Sequence, residues 1–425
     1  MSDYEAAAIA VEPGRHPLIR GVMAGTALLS LIGPDRAEAA LPPVNPGEVV
    51  NLTGLEPNTI AVINHTSVGR GEGWSAIYTT ENGYQGSSDT NTKYNGHVSP
   101  NLAFVDTGSQ GKVSILTGVS AQDQIADAIL SFPKTAATDF YPSPKRTLDT
   151  RSYSAKYVAN QIVEVNYGAE RAGQAAVMNI TVDLAKSPSW YAAYPCAEGY
   201  NGTSSVNPDG IGAHPTAEIV MIDKNGKVCI MGSVDAFGLI VDTYGFLKGI
   251  PIQPPKRILD TRINKDKVIK GQERVIEFGL ENANKIFIGK LASDQTDGAG
   301  WISVYPTESG FQNTSVINPD GKNPTSGLVV TMLDSKGRMS ILLGAANATD
   351  IIIDQSSIFD PALLGIDVAK IVPPKRILDS RVSRPDLPPP FVDPCPPGSH
   401  ADMSTWHDNN GDGIVQRTEV LCYFN

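Results

Sequence analysis

The residues best placed to do chemistry stand near the C-terminus. There Asp408-Asn409-Asn410-Gly411-Asp412-Gly413-Ile414-Val415-Gln416-Arg417-Thr418-Glu419 sets oxygen ligands at regular intervals. In a twelve-residue calcium loop, Asp408, Asn410 and Asp412 fill positions 1, 3 and 5, and Gly413 makes the sharp turn at 6. Ile414 offers its carbonyl at 7, Gln416 acts at 9 directly or through water, and Glu419 closes the ring bidentately at 12. A hard dication needs such a ring of oxygens, so the expected ligand is Ca2+. The bland alternative is a solvated Asx-rich turn. Cys395 and Cys422 bracket the loop, and a disulfide between them is expected to take the place of a partner loop.

A second chemistry is written three times. Pro144-Lys145-Arg146-Thr147-Leu148-Asp149-Thr150-Arg151 recurs as Arg257, Asp260 and Arg262 within 255–262, and as Arg376, Asp379 and Arg381 within 374–381. Asp and Arg two apart in an extended segment project to one side, where bidentate Arg–carboxylate bonds form a structural joint. Asp127, Asp242 and Asp354 are the expected partners of a buried network. The aspartates of the phrase stand 111 and then 119 residues apart, the length of a small domain. Because one phrase follows each module, including the last, the expectation is that it packs back onto the module before it.

Aligning the chain with itself sets the elements around these groups. Trp74, Trp190 and Trp301 each precede an aromatic by 10 residues (Tyr84, Tyr200, Phe311) and an Asn by 17 (Asn91, Asn207, Asn318). The tryptophans are read first as core and second as a sugar-stacking ligand platform. The alignment gives modules at 45–143, 144–254 and 255–373, then a joint and Pro-rich linker at 374–399 and a calcium tip at 400–425. Val177–Asp183 alternates as a half-buried strand does, and Gly226 and Gly337 sit where tight turns need positive φ. Residues 120–130 have a helical composition, yet they align with the Ile-rich strands of the other modules and are read as strand. The fold class is therefore all-β, three tandem sandwich- or barrel-like modules. Cys196 and Cys229 occur together in one module, where the others have Thr80 and Ser114, or Thr307 and Ser340. Paired presence predicts a disulfide and an oxidising, extracellular setting.

Forty glycines, 31 prolines and a charged fraction of only 19% fit short strands and many turns. A net charge of −11 argues against nucleic acid, which needs clustered Lys and Arg. No stretch is long enough to span a bilayer as a helix. Gly21–Gly33 is a short apolar run after Arg15, His16 and Arg20, followed by Ala37-Glu38-Ala39. It reads equally as a cleaved secretory signal or as a retained anchor within residues 1–44. The six histidines, His16, His65, His97, His214, His400 and His407, form no metal-ligand spacing, and neither a nucleophile elbow nor a phosphate loop occurs. His97 and His214 fall in corresponding loops, where module 3 has Lys322-Asn323.

The Arg-x-Leu-Asp-Thr-Arg opening, Met178–Val182, Tyr194-Pro195-Cys196, Ser205–Gly210 and Leu239–Phe246 resemble a β-rich repeat of secreted actinobacterial proteins and of tail-associated proteins of their phages. The C-terminal loop is similar to single EF-hand-like loops of extracellular bacterial proteins. The resemblance implies display and envelope contact and carries no catalytic role. The expected protein is a non-enzymatic structural and adhesion component of a virion tail. The alternative is a secreted envelope protein cleaved near Ala39, with a glycan-degrading enzyme third. Its expected partners are other virion or envelope proteins and host glycans, and a homotrimer is compatible with the repetition. Calcium should protect residues 396–425 from protease, and Glu419→Gln should abolish most of that protection; limited proteolysis with and without chelator measures it.

Overall fold

The computed structural model describes residues 41–135, 137–152, 156–321, 323–368 and 374–383, with the backbone of strands at 399–401 and 422–424. The expected anchor, the Asp408–Glu419 loop and the Cys395–Cys422 pair lie outside the described residues and side chains.

Module 1 holds β1 (Val49–Leu52), β2 (Thr59–Arg70), β3 (Gly73–Thr79), β4 (Thr90–Thr92), β5 (Asn95–Asp106), β6 (Val113–Gly118) and β7 (Gln122–Pro133). Module 2 holds β8 (Thr138–Asp149), β9 (Val163–Asn166), β10 (Ala175–Ala185), β11 (Tyr191–Pro195), β12 (Ala213–Met221), β13 (Lys227–Gly232) and β14 (Ala236–Leu247). Module 3 holds β15 (Lys256–Asp260), β16 (Val268–Ile269), β17 (Glu273–Glu277), β18 (Ile286–Asp294), β19 (Trp301–Pro306), β20 (Thr325–Met332), β21 (Arg338–Gly344) and β22 (Ala348–Phe359). Then come β23 (Lys375–Asp379), β24 (Ser399–Ala401) and β25 (Cys422–Phe424), the last two paired with each other. The chain is all-β, as its alternating pattern requires. The helix-like stretch 120–130 becomes β7 because strands on both sides satisfy its backbone.

Each module is a sandwich of an inner and an outer antiparallel sheet. The inner sheets run β23-β7-β2-β5, β12-β10-β14-β8 and β15-β22-β18-β20. The outer sheets run β1-β6-β3-β4, β11-β13-β9 and β17-β21-β19. Tight turns enter the outer sheets at Gly226 (φ 79°) and Gly337 (φ 73°), where a Cβ would stand 2.1 and 2.0 Å from a backbone carbonyl oxygen. Glycine is required there.

One face of every inner sheet packs on its own outer sheet. The other face packs on the neighbouring modules. Ile60 and Val62, Ala175 and Val177, and Ile286 and Ile288 occupy equivalent places in one shared core. The connections between modules add Ile250, Ile252, Leu364 and Ile366 to it. Burial on both faces explains why β2, β10 and β18 are almost continuously buried, and it corrects the half-buried alternation expected of Val177–Asp183. The three sandwiches thus stand around a pseudo-threefold axis.

The repeated phrase closes this ring, which corrects the expectation that it packs on the preceding module. The first phrase enters the sheet of module 2 beside β14, and the second enters module 3 beside β22. The third, β23, returns to module 1 and pairs with β7. Residues 375–379, read as part of a linker joint, are therefore the strand that module 1 lacks. The reason is an open edge: without β23, β7 would expose unpaired backbone groups and the buried Asp127. Leu41 N–H donates to the Arg381 carbonyl at 3.2 Å, so closure sets the start of module 1 beside the end of the third phrase.

If the last phrase closes the ring, Arg376→Ala should destabilise it as much as Arg146→Ala or Arg257→Ala. The expected cost is about 2–3 kcal/mol, below that of a fully buried pair because the guanidinium is partly solvated. Denaturant unfolding of the three variants measures it, and a silent Arg376→Ala contradicts closure.

Candidate functional site

The three copies of the phrase build three equivalent junctions. In each, one residue bulges out of register after the first arginine: Arg146 pairs with Asp242 and Leu148 with Val241, Arg257 with Asp354 and Leu259 with Ile353, and Arg376 with Asp127 and Leu378 with Ala126. The extra residue turns Arg146 and Asp149, three apart, to one face. Arg146 forks onto Asp242 at 2.9 and 3.1 Å, Arg257 onto Asp354 at 2.9 and 3.1 Å, and Arg376 onto Asp127 at 2.7 and 3.4 Å. Asp127, Asp242 and Asp354 are 1%, 2% and 3% exposed. Burial pushes the Asp127 and Asp242 carboxyls up, and the arginine opposite each pulls back.

The second arginine is held differently from the extended i, i+2 geometry expected of it. The strand ends at the aspartate, and residues 150–152 form a 3-10 turn. Asp149 accepts from the Arg151 backbone at 3.1 Å and from its guanidinium at 2.9 and 2.8 Å, which holds the carboxyl below its usual range. Asp260 with Arg262, and Asp379 with Arg381, repeat the arrangement. Between them, Thr150, Thr261 and Ser380 accept from the backbone N–H of Leu239, Ile351 and Gln124 at 2.8, 2.9 and 2.7 Å. That hydroxyl role went unread in the sequence, although Thr or Ser at the same place in every copy carried the signal.

The junctions also cross between modules. Arg146 donates to the Gly86 carbonyl of module 1 at 3.3 Å, and Arg376 to the Asn313 carbonyl of module 3 at 2.7 Å. The Nδ2 of Asn201, in module 2, donates to the carbonyl of Pro255, the first residue of the second phrase, at 2.9 Å. The acceptor loops follow the aromatic pairs. Trp74 stacks on Tyr84, Trp190 on Tyr200 and Trp301 on Phe311, with centroids 5.2, 4.8 and 4.8 Å apart. Each indole spends a face inside its own module, while Tyr84 and Tyr200 remain 36% and 39% exposed. Cys196 and Cys229 form a disulfide with Cα atoms 4.9 Å apart. At the matching places, Thr80 and Ser114, and Thr307 and Ser340, hydrogen-bond at 2.9 Å. A hydroxyl pair thus bridges the same two strands without oxidation.

Deeper along the axis lies a polar layer that the sequence did not announce. Asn64, Asn179 and Lys290 are equivalent, each beside the aspartate that pairs with a phrase arginine. Asn179 donates to the Ser88 carbonyl at 2.9 Å, Asn64 to the Ser315 carbonyl, and Lys290 to the Ala217 carbonyl at 3.0 Å and to Glu218 at 3.2 Å. Burial lowers the Lys290 ammonium, and the Glu218 carboxylate opposes it. Asp89 sits between modules 1 and 2, accepting from Ile77 N–H at 2.6 Å and lying 2.6 Å from the Tyr244 hydroxyl. Burial pushes its carboxyl up to about 7. His65, in the interior of module 1, is fully buried against Gln124 at 2.8 Å. Among the described residues, no three His, Cys, Asp or Glu side chains gather in a metal-holding group. No described helix is long and apolar enough to cross a membrane.

No known protein family matches the sequence, and no curated protein matches it. Among solved structures, a chain described under "The Triple Jelly Roll Fold and Turret Assembly in an Archaeal Virus" aligns at 8% identity and a TM-score of 0.18. The alignment covers 74% of this chain and 84% of that one. So loose a superposition carries no argument about fold or function.

Asp89 gives the ring a pH dependence with a definite sign. A carboxyl raised to about 7 contributes stability below about pH 4 that is lost as pH rises through 7. Asp89→Asn, which keeps a neutral hydrogen-bonding group, should remove that loss. It should leave the acid-side loss from His65 and His97, both lowered to about 4 by burial. Thermal unfolding of both proteins across this range is the check.

Proposed function

We propose that the chain is a non-enzymatic display and adhesion body, a minor tail protein of an actinobacteriophage virion that meets the host cell envelope. The observation that supports this reading most is the closed ring. Three sandwiches share one core, and each buried carboxylate of the junctions is spent on an arginine of the fold. The phrase arginines are likewise engaged by protein acceptors, which leaves the clusters to hold modules rather than to turn over substrate. A rigid body with three equivalent flanks suits multivalent contact, in which weak sites add through geometry. The partly exposed Tyr84 and Tyr200, beside Trp74 and Trp190, are the proposed points of contact with envelope glycans. The calcium tip at 408–419 would serve as a structural stop beyond the proline linker.

The test is the mass and N-terminus of the native chain in purified particles. The reading expects a particle-bound chain that retains residues before Ala40. A chain found in the medium of uninfected bacteria and beginning near Ala40 favours the secreted envelope protein instead. Release of sugars from purified cell wall, lost on changing one carboxylate, would overturn the non-enzymatic part.

A further inference from the structure

At the end of the ring where Leu41 meets Arg381, all three modules send loops to the axis. They enclose a cavity of about 60 Å³ lined by the equivalent Asn91, Asn207 and Asn318, and by His97, His214 and Asp320. Lys93 of module 1 reaches across into module 2. Its Nζ lies 2.7 Å from Asp209 Oδ2 and 2.7 Å from His214 Nε2, and its side chain is 4% exposed. The same Nε2 lies 2.6 Å from Asp209 Oδ1. One ring nitrogen cannot satisfy both neighbours. Without a proton it accepts from the Lys93 ammonium; with a proton it donates to Asp209 and meets the ammonium as a like charge. The Asp209 backbone N–H also points at Nε2, 3.3 Å away, as it would at a bare nitrogen, so Nε2 is the atom that changes state.

We propose that Lys93, Asp209 and His214 form a proton-operated latch, holding modules 1 and 2 together most firmly at the axial mouth while His214 Nε2 is bare and loosening the hold on Lys93, which keeps only Asp209, when that atom takes a proton from solvent. The other charged and titratable groups facing the latch are Tyr94 and His97 on the module 1 loop and Asp320 of module 3. Tyr94 donates to Asp320 at 2.6 Å, so the module 1–3 contact at the mouth does not depend on His214. Asp209 stays ionised throughout: burial would raise it, but His214 and Lys93 outweigh burial and hold it well below the usual carboxylate range. Burial lowers His214, and Lys93 lowers it further against the pull of Asp209. Its proton therefore arrives below the ordinary histidine range, and acid costs the latch its stability. The device is separate from the display reading and would operate whatever the ring is attached to.

Hydrogen exchange of the full chain, corrected for intrinsic rates, tests this at about pH 7.5 and about pH 4.5, on either side of the histidine range. Peptides over 93–97 and 208–214 should exchange several-fold faster in acid, because a like charge then faces Lys93, while β10 and β18 stay protected. His214→Gln can still accept from Lys93 but cannot titrate, and should be flat with pH. Lys93→Met should exchange fast at both pH values, and His97→Asn should keep the acid response. Equal wild-type exchange at both pH values, or an acid response that survives in His214→Gln or Lys93→Met, overturns the latch. Loss of the response in His97→Asn alone overturns it too, by moving the proton to His97.

Discussion

Asp127, Asp242 and Asp354 are carboxylates taken out of water in the middle of inner-sheet strands, and each depends on an arginine delivered by a distant stretch of chain. A buried ion pair returns little net stability against an apolar pair, but losing one partner leaves an uncompensated charge. The constraint is therefore one of arrangement. A strand that slips by one residue turns its arginine away, so the pair fixes register as the bulge fixes which side the next aspartate faces. Every module must receive a phrase. For module 1 the only phrase left is the one beyond module 3, and the chain closes into a ring to deliver it.

Closure has consequences for the axis. Once the inner sheets face one another, their second faces must be apolar where they meet, and Ile60, Ala175 and Ile286 with their neighbours supply that. Farther along, the axis becomes polar, and there the modules stop being alike. Where modules 1 and 2 have Asn64 and Asn179, module 3 has Lys290, which finds Glu218 only in module 2. Lys93 likewise finds Asp209 only in module 2, while Tyr94 finds Asp320 only in module 3. A misordered ring would leave Lys290 and Glu218, both buried, without each other. The polar residues thus give each module one place, at some expense in stability.

Much of this was legible because the chain repeats itself. Equal spacings from Trp to aromatic and Asn marked out three modules, and strand character at 120–130 followed from alignment against its own helical composition. The joint appearance of Cys196 and Cys229 announced the disulfide, since a bridge needs both ends. The phrase showed its arginines and aspartates. Its recurring Thr150, Thr261 and Ser380 marked a shared role but not the backbone N–H each serves, because a hydroxyl's partner is set by the strand laid opposite. Asp89, Lys290 and Lys93 carried no local signal, and His214 was marked only by its place in a loop equivalent to that of His97. Their meaning lies in side chains from other modules.

The sequence by itself determined local periodicity, turns, the number of modules and the residues that pair within one, since each is written in spacings along a single stretch. Only the tertiary structure decided that the modules stand in a ring, that the last phrase completes the first module, and that three unlike loops meet at one mouth. The reason is physical. The edge of β7 and the second face of each inner sheet are left unsatisfied by their own module, and what satisfies them is chosen by burial and hydrogen bonding across about 250 residues of chain, a distance at which spacing no longer informs.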